Sequence, residues 1–243
     1  MTSRSDILSQ LEKQILPLQG LRKLPGDNNV RIDCSAMESA FPNGVFPVGC
    51  MHEFITHTPQ DGASTNGFVA AILGKLLKQG GICLWISTSR TLFAAALVSF
   101  NVNPEQIIFI DVKNERDVLY ATEEALKCNK LIAVLAEIKN LSFKESRRFQ
   151  LAAEQSRVTG FIIRHGLRTT NTIACVSRWH ITSLPSMSAG MPGVGFPRWK
   201  VELQKIRSGT PGSWIMEWSA GNFNVIQQDE KVIVLYEGLK QIG

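Results

Sequence analysis

The chain has 243 residues, of which 44% are hydrophobic and 19% charged, with a formal net charge of +5. That length suits one α/β domain with appendages or two small domains, and so large an apolar fraction excludes a disordered chain. The opening MTSRSDILSQLEKQIL lacks the apolar centre of a signal peptide, and no run is long and apolar enough to span a bilayer, so a cytoplasmic protein with no membrane partner is expected.

Ser5–Ile15 reads as an amphipathic helix with Leu8, Leu11 and Ile15 on one side, ended by Pro17 and Gly20. A polar linker follows, and residues 1–40 form an N-terminal appendage. Phe41–Gly49 holds two prolines and two glycines and reads as a structured turn leading into a strand at Met51–Ile55. His57–Asn66 reads as a loop, and Gly67–Lys78 as a helix with Phe68, Ile72 and Leu76 on its apolar side. Strands are expected at Ile82–Ile86, Ile107–Asp111, Leu131–Ala136 and Val158–Arg164. Helices are expected at Thr91–Phe100, Glu115–Lys127 and Ser142–Ser156, the last opening with Ser142 and Glu145 at capping-box spacing. Apolar strands alternating with helices predict a parallel sheet covered on both faces, here assigned to residues 41–182.

The helical periodicity stops after Gly166. Ile173–Ile181 reads as a strand, and Ser183–Pro197 as a loop rich in Gly, Pro, Ser and Met. Arg198–Arg207 and Ser213–Trp218 form a hairpin, with Asn222–Ile226 and Lys231–Tyr236 a weaker one, so residues 183–243 make a β-rich extension packed on the core. Between Arg164 and Arg207 stand seven basic residues against the single acid Glu202, so this segment carries +6 and the remainder about −1. Such a stretch fits a polyanion or an acidic partner, or a set of solvated strand faces. Arg178-Trp179 and Arg198-Trp199-Lys200 set cation beside aromatic, as single-stranded nucleic acid requires. Strand alternation offers the opposing reading, with each Trp turned into the core. Arg147 and Arg148 on the Ser142–Ser156 helix fit either a solvated face or an acidic partner helix. These two, with Arg178, Arg198, Trp199, Lys200, Lys205 and Arg207, are the candidate contact residues.

Five scattered cysteines without a CxxC pair, and four histidines without metal spacing, lead us to expect reduced thiols and no metal or other cofactor. Gly62-Ala63-Ser64-Thr65-Asn66-Gly67 keeps two glycines at the spacing of a phosphate loop. The Lys and Ser/Thr that should follow are Phe68 and Val69.

Taken together, FPNGVFPVGCMHEF, LWIS, YATEEALK, SRRFQLAAE, GFIIR and PRWKVELQKIRSGTPGSWIMEW, in this order and spacing, resemble the ImuA group of the RecA/SulA superfamily. The resemblance covers Phe41 to Trp218. It implies a RecA-like fold and a bacterial accessory role in SOS damage-induced mutagenesis and translesion synthesis. It also implies as partners an ImuB-type polymerase-like protein and an error-prone C-family polymerase, with RecA itself a further candidate and DNA contact weak and non-specific. Carried over position by position, the phosphate lysine falls at Phe68, the magnesium-binding hydroxyl at Val69, the catalytic acid near Ser89 and the second acid at Ala136, beside Glu137. A non-catalytic protein with a degenerate phosphate loop is therefore expected. The rival is a SulA-like division inhibitor of FtsZ, which the middle of the chain also resembles. The glycine-rich loop and the hairpin favour the mutagenesis factor.

Overall fold

The computed structural model describes residues 31–90, 92–167, 169–186 and 195–226. The expected helix Ser5–Ile15, the strand Lys231–Tyr236, Arg168, and the loop methionines Met187 and Met191 lie outside them. Among the described residues nine strands form one sheet in the order β3-β2-β4-β5-β1-β6-β7-β8-β9. They are β1 Met51–Ile55, β2 Cys83–Ser87, β3 Ile107–Asp111, β4 Ala133–Glu137, β5 Thr159–Arg164, β6 Ser177–Leu184, β7 Arg198–Ile206, β8 Gly212–Ser219 and β9 Asn222–Val225. The pairings from β3 across to β6 are parallel, and β7, β8 and β9 add on antiparallel.

Among the described residues four α-helices accompany the sheet: α1 Ser35–Glu38, α2 Pro59–Leu76, α3 Glu115–Leu126 and α4 Phe143–Ser156. On one face, Phe54, Trp85, Leu135, Phe161 and Trp179 pack with Phe68 and Ile72 of α2. On the other, Met51, Ile86, Val134 and Ile162 pack with Val118 and Leu126 of α3 and with Phe149 and Ala153 of α4. Strand periodicity of two sends neighbours to opposite faces, so β2, β4 and β5, covered on both, read as nearly continuous apolar runs. The extension joins the first of these cores through Trp199, Val201, Leu203, Met216, Trp218 and Phe223. β6 is the seam, paired with β1 on one side and β7 on the other.

The helix after β1 starts earlier than its composition suggests. Thr58 caps it by accepting from Asp61 N, Asp61 caps back, and Pro59 occupies the first turn, where its missing N–H costs nothing. The segment Thr91–Phe100, expected as an α-helix, forms a tighter 3-10 helix over Ala94–Phe100, and its end lies close against α2. A Cβ on Gly74 would sit 2.2 Å from Phe100 O.

Two buried polar clusters tie distant segments. Glu53, 1% exposed, accepts from Arg164 Nη1 at 3.0 Å and from Arg178 Nε at 2.6 Å. His52 donates Nε2–H to Pro47 O at 2.8 Å, so its Nδ1, 2.6 Å from Ser177 Oγ, accepts that hydroxyl, while Trp179 Nε1 donates to Ser177 Oγ at 2.7 Å.

Candidate functional site

β1, β4 and β5 end on one side of the sheet, where α2 begins. In parallel α/β sheets this is where ligands bind. The six residues Gly62, Ala63, Ser64, Thr65, Asn66 and Gly67 are not a loop but the second and third turns of α2. The capping box and Pro59 set the helix in place before them, so their N–H groups are spent on helical bonds, beginning with Gly62 N to Thr58 O at 3.1 Å. The head of α2 is occupied by the chain's own carboxylate: Asp61 Oδ2 accepts from His57 N at 3.1 Å and Thr58 N at 3.0 Å. Burial works to raise the Asp61 pKa, but these bonds outweigh it and hold the carboxyl below its ordinary value. His180 Nε2 lies 3.5 Å from the same oxygen and its Nδ1 3.2 Å from Glu202 Oε2, which links the start of α2 to β6 and β7. A helix N-terminus favours an anion, and here Asp61 is that anion.

Beside it opens a cleft of about 620 Å³ lined by Thr56, His57, Gly62, Asn66, Glu137 and His165 among others. His165 Nε2 stands 3.3 Å from Glu137 Oε2, and its Nδ1 3.2 Å from Thr56 Oγ1. Trp85 Nε1 donates to Glu137 Oε1 at 2.9 Å and orients the carboxylate. Carboxylate, imidazole and hydroxyl in series have the order of a nucleophilic relay, but the relay ends on Thr56, which is 1% exposed. The neighbourhood of Cys50 and His52 is inert as well. Cys50 Sγ is 3.5 Å from His52 Nε2, yet burial pushes the thiol up to about 12 and the imidazole down to about 4, so neither ionises at neutral pH. No cluster of metal-ligating side chains occurs among the described residues.

The positions matched to phosphate chemistry have other occupations. Phe68 is fully buried against Phe54, Trp179, Trp199 and Phe223, and Val69 is also in the core. Ala136 faces the α3/α4 side, while Glu137 reaches the cleft by lying at the very end of β4, where the chain leaves the sheet.

The contact candidates divide. Trp199 is 3% exposed and packs on Phe68, Phe100 and Phe223, so it offers no stacking face; alternation along β7 turns it inward. Trp179 and Trp218 are buried in the same way. Arg178 is held by Glu53 and by Asn171 O, and Arg198 by Glu217 Oε2 at 2.6 Å. Lys200 pairs with Glu202, Arg148 with Glu123, and Arg207 stands near Glu154. Arg147 and Lys205 are exposed and form no ion pair among the described residues. The basic stretch is thus largely neutralised by acids from elsewhere in the chain. Sequence reasoning missed Asp61 and His165. The Thr58–Pro59–Gln60–Asp61 cap was visible in the sequence, while His165 is assigned only once β5 is set beside β1.

No known family profile matches the chain. Protein ImuA of Caulobacter vibrioides, from strain NA1000 / CB15N and from strain ATCC 19089 / CIP 103742 / CB 15, is 30% identical to it over 198 residues, covering 75% of this chain and 80% of that protein.

Proposed function

The chain belongs to the ImuA family, and on that premise we propose that it is a non-catalytic, RecA-like accessory factor of damage-induced mutagenesis. It serves error-prone DNA repair in the bacterial cytoplasm by assembling with an ImuB-type polymerase-like protein and an error-prone C-family polymerase, with RecA a further partner. The observation that carries the non-catalytic part is the Asp61 carboxylate in the first turn of α2, bonded to the N–H groups of His57 and Thr58. Phosphoryl transfer needs cationic and donor groups around the phosphate, and here a fixed negative charge stands in the first turn of the helix. Arg147 and Lys205 support a protein contact, since both are exposed and without an ion pair among the described residues. DNA contact is secondary, weak and steeply salt-dependent.

The test is direct binding of the purified chain to the ImuB-type protein and, separately, to FtsZ, with ATP turnover measured beside it. The expected result is binding to the first, weakened by Arg147→Glu or Lys205→Glu, and turnover at background with or without single-stranded DNA. FtsZ binding without ImuB-type binding would replace this reading by that of a division inhibitor. DNA-stimulated hydrolysis would overturn the non-catalytic part.

A further inference from the structure

Asn66, in the lining of the cleft beside α2, carries a buried polar atom with no partner. Asn66 is 9% exposed, and its buried Oδ1 makes no hydrogen bond. Asn66 lies three and four residues after Ala63 and Gly62, and these three positions of α2 together line the cleft. A buried acceptor left unsatisfied is costly, so a ligand that donates to it gains what the free protein forgoes. Glu137 lines the same cleft, with Oε1 on Trp85 and Oε2 facing the half-exposed His165. Glu137 and the Asn66 carbonyl thus bring two acceptors to this lining, with the Ser89 hydroxyl at its exposed rim. The N–H groups of His57 and Thr58, just before α2, are already taken by Asp61. The cationic side chain at the opening, Lys139, is exposed, where water screens it.

We propose that this cleft receives the guanidinium of an arginine side chain carried by a partner protein. That a partner brings it rests on the accessory reading above; the choice of guanidinium rests on the cleft alone. The planar fork of an arginine pairs with a carboxylate and still has N–H groups left over, one of which satisfies Asn66 Oδ1. An ammonium lacks the fork, and a phosphate meets the Glu137 carboxylate, which repels it. The cleft, at about 620 Å³, is larger than one side chain and takes the arginine with neighbouring residues of its loop. His165 yields Glu137 Oε2 to the incoming group by turning towards solvent.

The indole N–H of Trp85 reports on Glu137 directly and makes the test independent of any activity. The full chain, labelled with nitrogen-15, is titrated with acetyl-Gly-Arg-Gly-amide, with the same peptide carrying citrulline, with ADP and with inorganic phosphate. The expected result is a saturable shift of the Trp85 indole resonance with the arginine peptide only, its Kd raised at least tenfold by Glu137→Gln and raised also by Asn66→Ala. The glutamine keeps an oxygen for Trp85, and an unchanged thermal melt checks that each variant folds. A shift with ADP or phosphate and none with arginine would overturn the proposal. So would an arginine effect undiminished in Glu137→Gln, or no shift with any probe. Failure here with ImuB-type binding intact removes the cleft assignment alone; the reverse outcome removes the accessory reading and leaves the cleft.

Discussion

Removing the Glu53 carboxylate is the sharpest perturbation the fold offers. Glu53 sits within β1, with β5 on one side and β6 on the other, and takes one arginine from each. Arg164 is 3% exposed, and its remaining donors go to Lys139 O at 3.2 Å and 3.1 Å. In Glu53→Ala, a carbonyl dipole is all that faces a buried positive charge, with a second cation beside it. Breaking a buried pair from one side costs about 3–5 kcal/mol, because the charge left behind has no compensation. Against a total stability of about 5–15 kcal/mol, that is a large share. For a chain of 150–250 residues the melting temperature falls by about 2–4 °C per kcal/mol, so a drop of roughly 6–20 °C follows. Arg178→Gln serves as the comparison: Arg178 is partly exposed, and Glu53 keeps Arg164, so the loss is much smaller. Urea denaturation of the three proteins, with the m-value checked for constancy, measures both. A loss below about 1 kcal/mol in Glu53→Ala, or equal losses in the two variants, would refute the view that Arg164 depends on this carboxylate.

Acid will destabilise the fold through His52, whose burial lowers its pKa from 6.5 to about 4. The unfolded chain binds a proton there that the folded chain refuses, so this contribution is complete above pH 6.5. It is lost as the pH falls towards 4, by about 3 kcal/mol, and urea midpoints in His52→Gln should lack this part of the slope. Gly74→Ala, a substitution that favours an exposed helix by about 1 kcal/mol, will here destabilise and lower the melting temperature, since the added carbon meets Phe100 O at 2.2 Å. Phe68→Lys with Val69→Thr will create no ATPase. It will cost at least about 3 kcal/mol by denaturant titration, because it removes a fully buried ring and leaves an ammonium among aromatics.

The parallel core was legible because each strand is a short apolar run and each helix has its own periodicity. Ser142 and Glu145 even gave the first turn of α4, where both halves of the capping box form. The start of α2 was misread because Gly62 to Gly67 contains residues common in loops, and composition outweighed the Thr58, Pro59 and Asp61 signal just upstream. Burial of Trp199 needed the choice of which face of β7 turns inward, and that choice is made by Phe68 and Phe100, far away in sequence. The arginines were counted correctly as charge but not as free charge. Glu53 and Arg178 are 125 positions apart, and only the pairing of β1 with β6 brings them together.

The unbroken run of hydrogen-bonded strands from β3 to β9 has a mechanical consequence. Eight inter-strand spacings of about 4.8 Å place the two outer strands roughly 38 Å apart. A twist of about 20–25° at each step turns one border by close to half a revolution relative to the other. With β6 stitched to both of its neighbours, the parallel and antiparallel halves are continuous through hydrogen bonds. Two macromolecules gripped at opposite borders would be kept at a set distance and a set mutual rotation, as by a rigid spacer, and a pull on one would be felt by the other without slack.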